Sequence, residues 1–416
     1  MSLKAKVIPM ILMASSAWAE GAESCGVLSN LKQVISCAES RSPEVIKAQL
    51  EVKQKQASVE AAGQLLNPEL SADALSGTVQ SETRSETNLS LLFPVELGGK
   101  RRARKDVASG AASRAELELF NATAEVRKNV LLKVLRLRQI DSELDLVNES
   151  AEAFGKLVKQ YEGRPALSPE QEVTLTVFRI AKDDYSFKRM EYDEELSQLA
   201  SFFRISTGQD LGAIRKVMPA RMPNLMINLT KTPAENSDLR NSPLLLTYDA
   251  DIKVARAELD RAQGDAWPTL NVGPAAKFSK EAGQDIQQWG LSLSMPLPVL
   301  SLNQGEKAAA NATVRSSQTR RELAEQELRE RRAFLVEIYK KSAKALQETS
   351  NAHVLENKHK KVESMFVKGL VPSSLVIEVH RSLVEFEKTR NLRELKAVEA
   401  IFDIQIIDGA NVELGL

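Results

Sequence analysis

Asn88-Leu89-Ser90-Leu91-Leu92-Phe93-Pro94-Val95-Glu96-Leu97-Gly98-Gly99-Lys100-Arg101-Arg102 changes its periodicity partway along. Leu89, Leu91 and Phe93 alternate with Asn88, Ser90 and Leu92. That is the two-residue period of a strand, blurred by Leu92. Gly98-Gly99 then supplies two residues free to take the positive φ of a sharp corner. Beyond it, Val126, Val130, Val134, Leu137, Ile140, Leu144, Val147, Ala151, Phe154 and Val158 follow one another in steps of three or four. This is the stripe of a helix that packs in coiled-coil fashion. A helix over 100–161 would be roughly 90 Å long at 1.5 Å per residue. No compact domain of this size needs such a helix.

The same order occurs twice. Ser42-Pro43 opens a helical stretch that ends before Asn67-Pro68-Glu69-Leu70, and Ser242-Pro243 opens one that ends before Trp267-Pro268-Thr269-Leu270. Phe93-Pro94 matches Met295-Pro296, and Leu97-Gly98-Gly99-Lys100 corresponds loosely to Leu302-Asn303-Gln304-Gly305. Thr207-Gly208-Gln209-Asp210 and Asp408-Gly409 close the halves. An ordered series at offsets of about 200 residues argues for duplication. The first repeat is 20–208, with a helix over 43–66, a hairpin over about 68–96, and long helices over about 100–161 and 170–206. A connector at 209–241 carries Pro219, Pro223 and Pro233. The second repeat is 242–408, with a helix over 243–266, a hairpin over about 268–297, and long helices over about 305–367 and 373–406. Residues 409–416 are a tail. The cleanest strand is Trp289, Leu291, Leu293 and Met295 alternating with Gly290, Ser292 and Ser294. Residues 70–80 are polar and ambiguous. Polar stretches at about 79–86 and 279–287 read as the hairpin loops.

Composition sets the outer limits. The 416 residues hold 56 Lys+Arg, 56 Asp+Glu and three His, with 43% hydrophobic and 5% aromatic residues. Zero net charge removes any global argument for nucleic acid. Met1-Ser2-Leu3-Lys4-Ala5-Lys6, the apolar run 7–14 and Ala17-Trp18-Ala19 read as a signal peptide over 1–19, cleaved after Ala19. Cys25 and Cys37 then enter an oxidising compartment, where they are either a disulfide or two separate thiols. Beyond the leader no apolar run is long enough for a transmembrane helix.

Four strands cannot close a barrel alone, and open sheet edges are not tolerated in lipid. Three copies would give twelve strands in one closed barrel and bundle the long helices into a tube. Each strand, at about 10–12 residues, is long enough to cross a bilayer when tilted. Trp267 and Trp289, with Phe93 and Phe278, suit an interfacial aromatic belt. Packing in a core is the other reading of the tryptophans.

At this point the chain resembles the TolC family of outer membrane efflux proteins. The resemblance rests on the duplicated Ser-Pro starts, the hairpin after Asn67-Pro68-Glu69-Leu70, and Phe93-Pro94-Val95-Glu96-Leu97-Gly98-Gly99-Lys100-Arg101, which is similar to the heavy-metal efflux branch. It covers residues 31–408. It implies a mainly α fold with a small membrane β part. A homotrimer would form a twelve-stranded outer-membrane barrel continuous with a periplasmic α-helical barrel. It also implies a Gram-negative outer membrane location and contact with its lipid, a periplasmic adaptor, and an inner-membrane pump of the proton-driven RND type. The protein would be a passive conduit, not an enzyme. No cofactor, metal or nucleic acid is implied. The family's helix tips meet the adaptor, often through a Gly-Leu pair. Gly369 and Leu370, after Lys368, match that pattern, whereas the first tip has Gly163-Arg164 between Tyr161 and two prolines. The same fold serving type I protein secretion is the alternative. A periplasmic coiled-coil structural or adaptor protein is a further one, disfavoured by the paired strands.

Lys100-Arg101-Arg102-Ala103-Arg104-Lys105 puts five basic residues in six. Below a barrel such a run would either meet anionic head groups or be a solvated helix start paired to neighbouring acids. His353, His359 and His380 form no metal-ligand motif, and no catalytic or phosphate-binding signature occurs. The resemblance also implies a narrow periplasmic aperture, often ringed by acidic residues in the family, but the second tip holds no Asp or Glu over 369–373.

Overall fold

The computed structural model describes residues 25–26, 28–79, 82–218, 238–281, 284–349 and 352–412. The expected signal peptide over 1–19 and Pro219, Pro223 and Pro233 lie outside them. The first repeat runs α1 (Leu31–Arg41), α2 (Pro43–Ala62), β1 (Glu69–Val79), β2 (Glu82–Glu96), α3 (Lys100–Glu162), α4 (Pro169–Thr207) and a short α5 (Leu211–Val217). After a single 3-10 turn (Leu239–Asn241) come α6 (Pro243–Gly264), β3 (Thr269–Glu281), β4 (Gln284–Ser294), α7 (Gln304–Glu348), α8 (Ala352–Val367) and α9 (Ser373–Ile407). Pro43 and Pro243 each sit in a first helical turn, where a missing N–H is harmless.

The four strands form one antiparallel sheet in the order β1-β2-β3-β4. The central pair, β2 with β3, joins the two repeats. On the helical side, α3 packs on α2, α4, α6 and α9, while α7 packs on α6 and α9. This leaves α4 and α7 at the two flanks of the helical wall. The stripe from Val126 to Val158 is buried or half-buried throughout, against Phe178 and Phe203 of α4 and Phe402 of α9. A second core joins Leu245 of α6 to Leu335 and Tyr339 of α7 and Ile404 of α9. Among the described residues no helix is long and apolar enough to cross a membrane.

Three expectations need correction. The helix expected over 305–367 is two helices. Thr349 has extended backbone (φ −85°, ψ 146°), and its hydroxyl donates to the Leu346 carbonyl at 3.2 Å. Thr, Ser and Asn in succession offer the backbone such alternatives to helical bonding. The loops expected at 79–86 and 279–287 are mostly strand, with pairing carried out to Val79↔Glu82 and Glu281↔Gln284. Ladder bonds come from the backbone, so polar side chains do not end a strand that outruns its apolar band. The helices over 43–66 and 243–266 end earlier, at Ala62 and Gly264. Within the expected connector, 211–217 is helical, capped by the Asp210 side chain on the Ala213 N–H at 2.8 Å. Helix α1 was not anticipated. Asn30 caps it through the Gln33 N–H at 2.9 Å.

Candidate functional site

Register decides what each face of the sheet is made of. Directly paired residues share a face. Leu89 pairs with Ala72 and Ala276, Leu91 with Leu70, Phe93 with Val272, and Val95 with Leu270. Ala276 continues to Trp289, Pro274 to Leu291 and Val272 to Leu293. One face is therefore apolar across all four strands. Among the described residues nothing covers it: Trp289 is 76% and Leu291 74% exposed. The opposite face holds Ser71, Asp73, Asn88, Ser90, Asn271, Lys277, Gln288, Ser292 and Ser294. There Lys277 pairs with Glu86 at 2.7 Å, and the Asn88 amide donates to the same carboxylate at 3.1 Å. Strands β1 and β4 are paired on one side only.

The predicted aromatics are spread along the length of the sheet. Phe278 meets Trp289 edge-on, with centroids 6.2 Å apart, towards the hairpin ends. Trp267 lies at the opposite end, just before β3, and is 60% exposed. Phe93 lies between and is half-exposed. From Leu270 to Phe278 the apolar band runs roughly 27 Å along the strand.

Below the sheet, Gly98 and Gly99 have φ of +73° and +75°. At Gly98 a Cβ would lie 2.8 Å from the Gly264 carbonyl oxygen and 2.8 Å from Trp267 Cδ1, so the corner also needs a hydrogen at that point. Gly99 faces open space. The second repeat turns the same corner with Asn303 at φ +60°, the one non-glycine with positive φ among the described residues. Asn tolerates that region better than most residues. Gly273 is a site the sequence did not single out: a Cβ there would overlap the Leu91 carbonyl oxygen.

The helix tips lie close together. Phe366 of α8 meets Phe178 of α4 edge-on at 5.8 Å, and Phe178 meets Tyr161 of α3 at 5.8 Å. At the second tip Gly369 has φ +71°. Its N–H donates to the Phe366 carbonyl at 2.8 Å, and the Leu370 N–H donates to Met365 at 2.9 Å. This double closure is a Schellman cap, and it leaves Val367, Lys368 and Leu370 exposed. At the first tip the Arg164 guanidinium lies 4.5 Å from the Tyr161 ring centre, and Gly163 stays right-handed. The two Gly-containing tips are thus built differently. His380 is buried, with Nδ1 2.9 Å from Ser150 Oγ and Nε2 3.0 Å from Glu363 Oε1. Among the described residues no cluster of His, Cys, Asp and Glu could hold a metal. Cys25 and Cys37 are joined by a disulfide with Cα atoms 5.9 Å apart. It ties the chain before α1 to that helix, far from the sheet's apolar face.

Inside the helical wall lies a buried polar network that no local pattern announces. Arg136 grips Glu195 with two bonds (2.7 and 2.9 Å) and donates to Glu143 at 2.9 Å, and the Asn391 amide donates to Glu143 at 2.8 Å. Burial works against the Arg136 charge, yet these two carboxylates hold its pKa above the usual value. Nearby, burial pushes the Glu387 carboxyl above its ordinary 4.5, opposed by Arg390 and reinforced by Glu143 and Glu394. A raised acid contributes stability that is complete below pH 4.5 and lost as pH climbs through the folded-state value. Glu387→Gln is therefore expected to raise the melting temperature at pH 7.5 and to leave it nearly unchanged at pH 4, by calorimetry. Equal shifts at both pH values would contradict the burial account.

Two kinds of unpartnered surface thus recur along the molecule: the sheet's outer strands, and an exposed apolar row on α4 formed by Val173, Val177, Ile180, Phe187 and Met190. The family described as "Outer membrane efflux protein" matches residues 34–165. A curated relative, the cobalt-zinc-cadmium resistance protein CzcC of Cupriavidus metallidurans, is 26% identical over 260 residues, which is 59% of this chain. The match spans 57% of that relative's length. Among solved structures, the Campylobacter jejuni CmeC outer membrane channel superposes with a TM-score of 0.71 at 14% identity, over 93% of this chain and 87% of that one. The open state of the Neisseria gonorrhoeae MtrE outer membrane channel gives 0.72 at 13%, over 92% and 90%. CusC gives 0.68 at 14%, over 95% and 96%.

Proposed function

We propose that this chain, which is similar to the outer membrane efflux protein family over residues 34–165 and to outer membrane channels in its fold, is the outer membrane channel of a tripartite efflux system. Three copies close the sheet into a twelve-stranded barrel, each copy's β4 pairing with the next copy's β1. The observation that carries this reading is the bare apolar sheet face backed by a polar one. In lipid, the unpaired ladder of each outer strand would cost several kcal/mol per group, so closure is obligatory. The polar face then lines the pore. The apolar row on α4 meets the flank of the next copy, where α7 carries the exposed Leu323 and Phe334. Trp267 and the Phe278–Trp289 pair mark the two membrane interfaces.

The substrate class we favour is the divalent heavy-metal cation, on the strength of the relative named for cobalt, zinc and cadmium resistance. The conduit takes it from a periplasmic adaptor and a proton-driven inner-membrane pump. The adaptor docks on the second tip, where the Schellman turn holds Leu370 out from the wall. Leu370→Asp is expected to lower metal tolerance to the level of a deletion strain while leaving trimer yield in the outer membrane intact. Unchanged tolerance in cells challenged with zinc, cobalt and cadmium would remove the docking assignment.

A further inference from the structure

Just beneath the sheet, the last turn of α2 and the first turns of α3 enclose a cleft of about 510 Å³. It is lined by Val59, Glu60, Gln64, Arg101, Arg102 and Lys105. Three cations thus face one acid. Arg101 is held in place by donating from Nε to the Gly63 carbonyl at 2.6 Å. Arg102 is loosely held, 3.7 Å from Asp106, and its side chain is 90% exposed.

The rest of the basic run is already committed. Lys100 turns to Asp265, which follows α6, and Arg104 reaches back to Glu96 with a bidentate pair. That pair also fixes which side Arg102 is on. Glu96 lies on the polar face of β2, in register with Asn88, Ser90 and Pro94. Helical residues advance by about 100° each, so Arg102 stands on the opposite side of α3 from Arg104. Arg102 therefore stands on the side of α3 turned from the polar face, and Arg101 and Lys105 line the cleft beside it. The exposed Leu65 and Leu66 follow the cleft directly and lead into Leu70, the first apolar residue of β1. Apolar surface above and three cations below is the layout of a membrane interface.

We propose that this cleft binds the phosphate of a phospholipid in the periplasmic leaflet of the outer membrane, with the acyl chains lying on Leu65, Leu66 and Leu70. The proposal rests on the membrane-spanning reading of the sheet given above. Arg101 and Lys105 form the inner wall of the headgroup site, and Arg102 closes over it from the solvent side. The test is native mass spectrometry of the full-length detergent-purified protein titrated with dioleoylphosphatidylglycerol, after insertion into lipid vesicles has been verified. The wild-type protein is expected to retain the lipid through detergent exchange. Arg102→Gln is expected to weaken retention about fivefold, and Arg101→Gln with Arg102→Gln and Lys105→Gln by about a hundredfold, at roughly fivefold per charge. Lys47→Gln with Lys133→Gln, which removes exposed charges elsewhere, is expected to change nothing. Excess inorganic phosphate is expected to leave the lipid bound. Equal retention by Arg102→Gln and wild type, or displacement by inorganic phosphate alone, would overturn the proposal. Arg102 is exposed enough that its replacement leaves the fold intact, so failure of the triple variant to assemble does not shield the idea. Protein that never enters vesicles would instead overturn the channel reading itself.

Discussion

Leu291→Arg is expected to abolish outer membrane assembly, whereas Ser292→Arg, one residue along the same strand, is expected to be tolerated. Leu291 stands near the middle of the apolar face and is 74% exposed in the single chain, so nothing in the protein needs it to be apolar. A soluble protein would gain from the exchange. Lipid reverses the sign: an arginine on the lipid face near the bilayer midplane costs about 2–4 kcal/mol. Three copies carry it at once, roughly tripling the penalty on the assembled barrel. Ser292 pairs with Gly273 on the opposite face, which the account assigns to the water-filled lumen. The two variants add the same charge to the same strand at adjacent positions, on opposite faces of the sheet. Heat-modifiable assemblies in outer membrane fractions would report the outcome. Equal effects from both variants would show that the sheet's two faces do not divide lipid from water.

The second large effect is expected at the corner where β2 becomes α3. Gly98→Val should destabilise the protein by about 3–5 kcal/mol, combining a β-branched side chain at positive φ with overpacking. The added Cβ would sit 2.8 Å from both the Gly264 carbonyl oxygen and Trp267 Cδ1. Backbone lies on one side and an indole on the other, so neither neighbour can yield cheaply. Because Gly264 and Trp267 belong to the second repeat, the clash would also loosen the junction between repeats. Gly99→Asn is the matched control. Its φ is +75° but open space surrounds it, and Asn303 already holds the equivalent corner. It should cost less than about 1 kcal/mol. Melting temperatures of the purified variants would test the pair, and similar values for both would mean that the close contact at Gly98 is not what constrains the corner.

Much of the architecture was legible because it is written in local periodicities. The three-and-four stepping from Val126 to Val158 states a buried helical stripe, and the alternation from Trp289 to Met295 states a two-faced strand. The repeated Ser-Pro starts and the corner at Gly98-Gly99 placed these elements in order twice. The features that escaped are non-local or backbone-driven. Pairing of β2 with β3 brings Val95 to Leu270 across the whole first repeat, and neither strand carries a mark of its partner. Polar strand ends such as Glu82 and Gln284 resemble loops, since only the ladder makes them strand. Arg136 and Glu143 look like ordinary helix-surface charges until Glu195 and Asn391 arrive from α4 and α9 to bury them. Gly273 is informative only when the Leu91 carbonyl lies against it. At the tips, sequence could identify Gly369-Leu370 as a turn, but the difference from Gly163-Arg164 lies in backbone conformation.

Under the proposed function, copies of this chain close one another's sheets within the outer membrane. The most direct measurement is the location and assembled mass of the native protein, from outer membrane fractions run unheated and boiled. The expected species resists alkaline extraction, migrates near three times the mass of one chain when unheated, and collapses to a single chain on boiling. Release of the protein as a monomer by osmotic shock would contradict it.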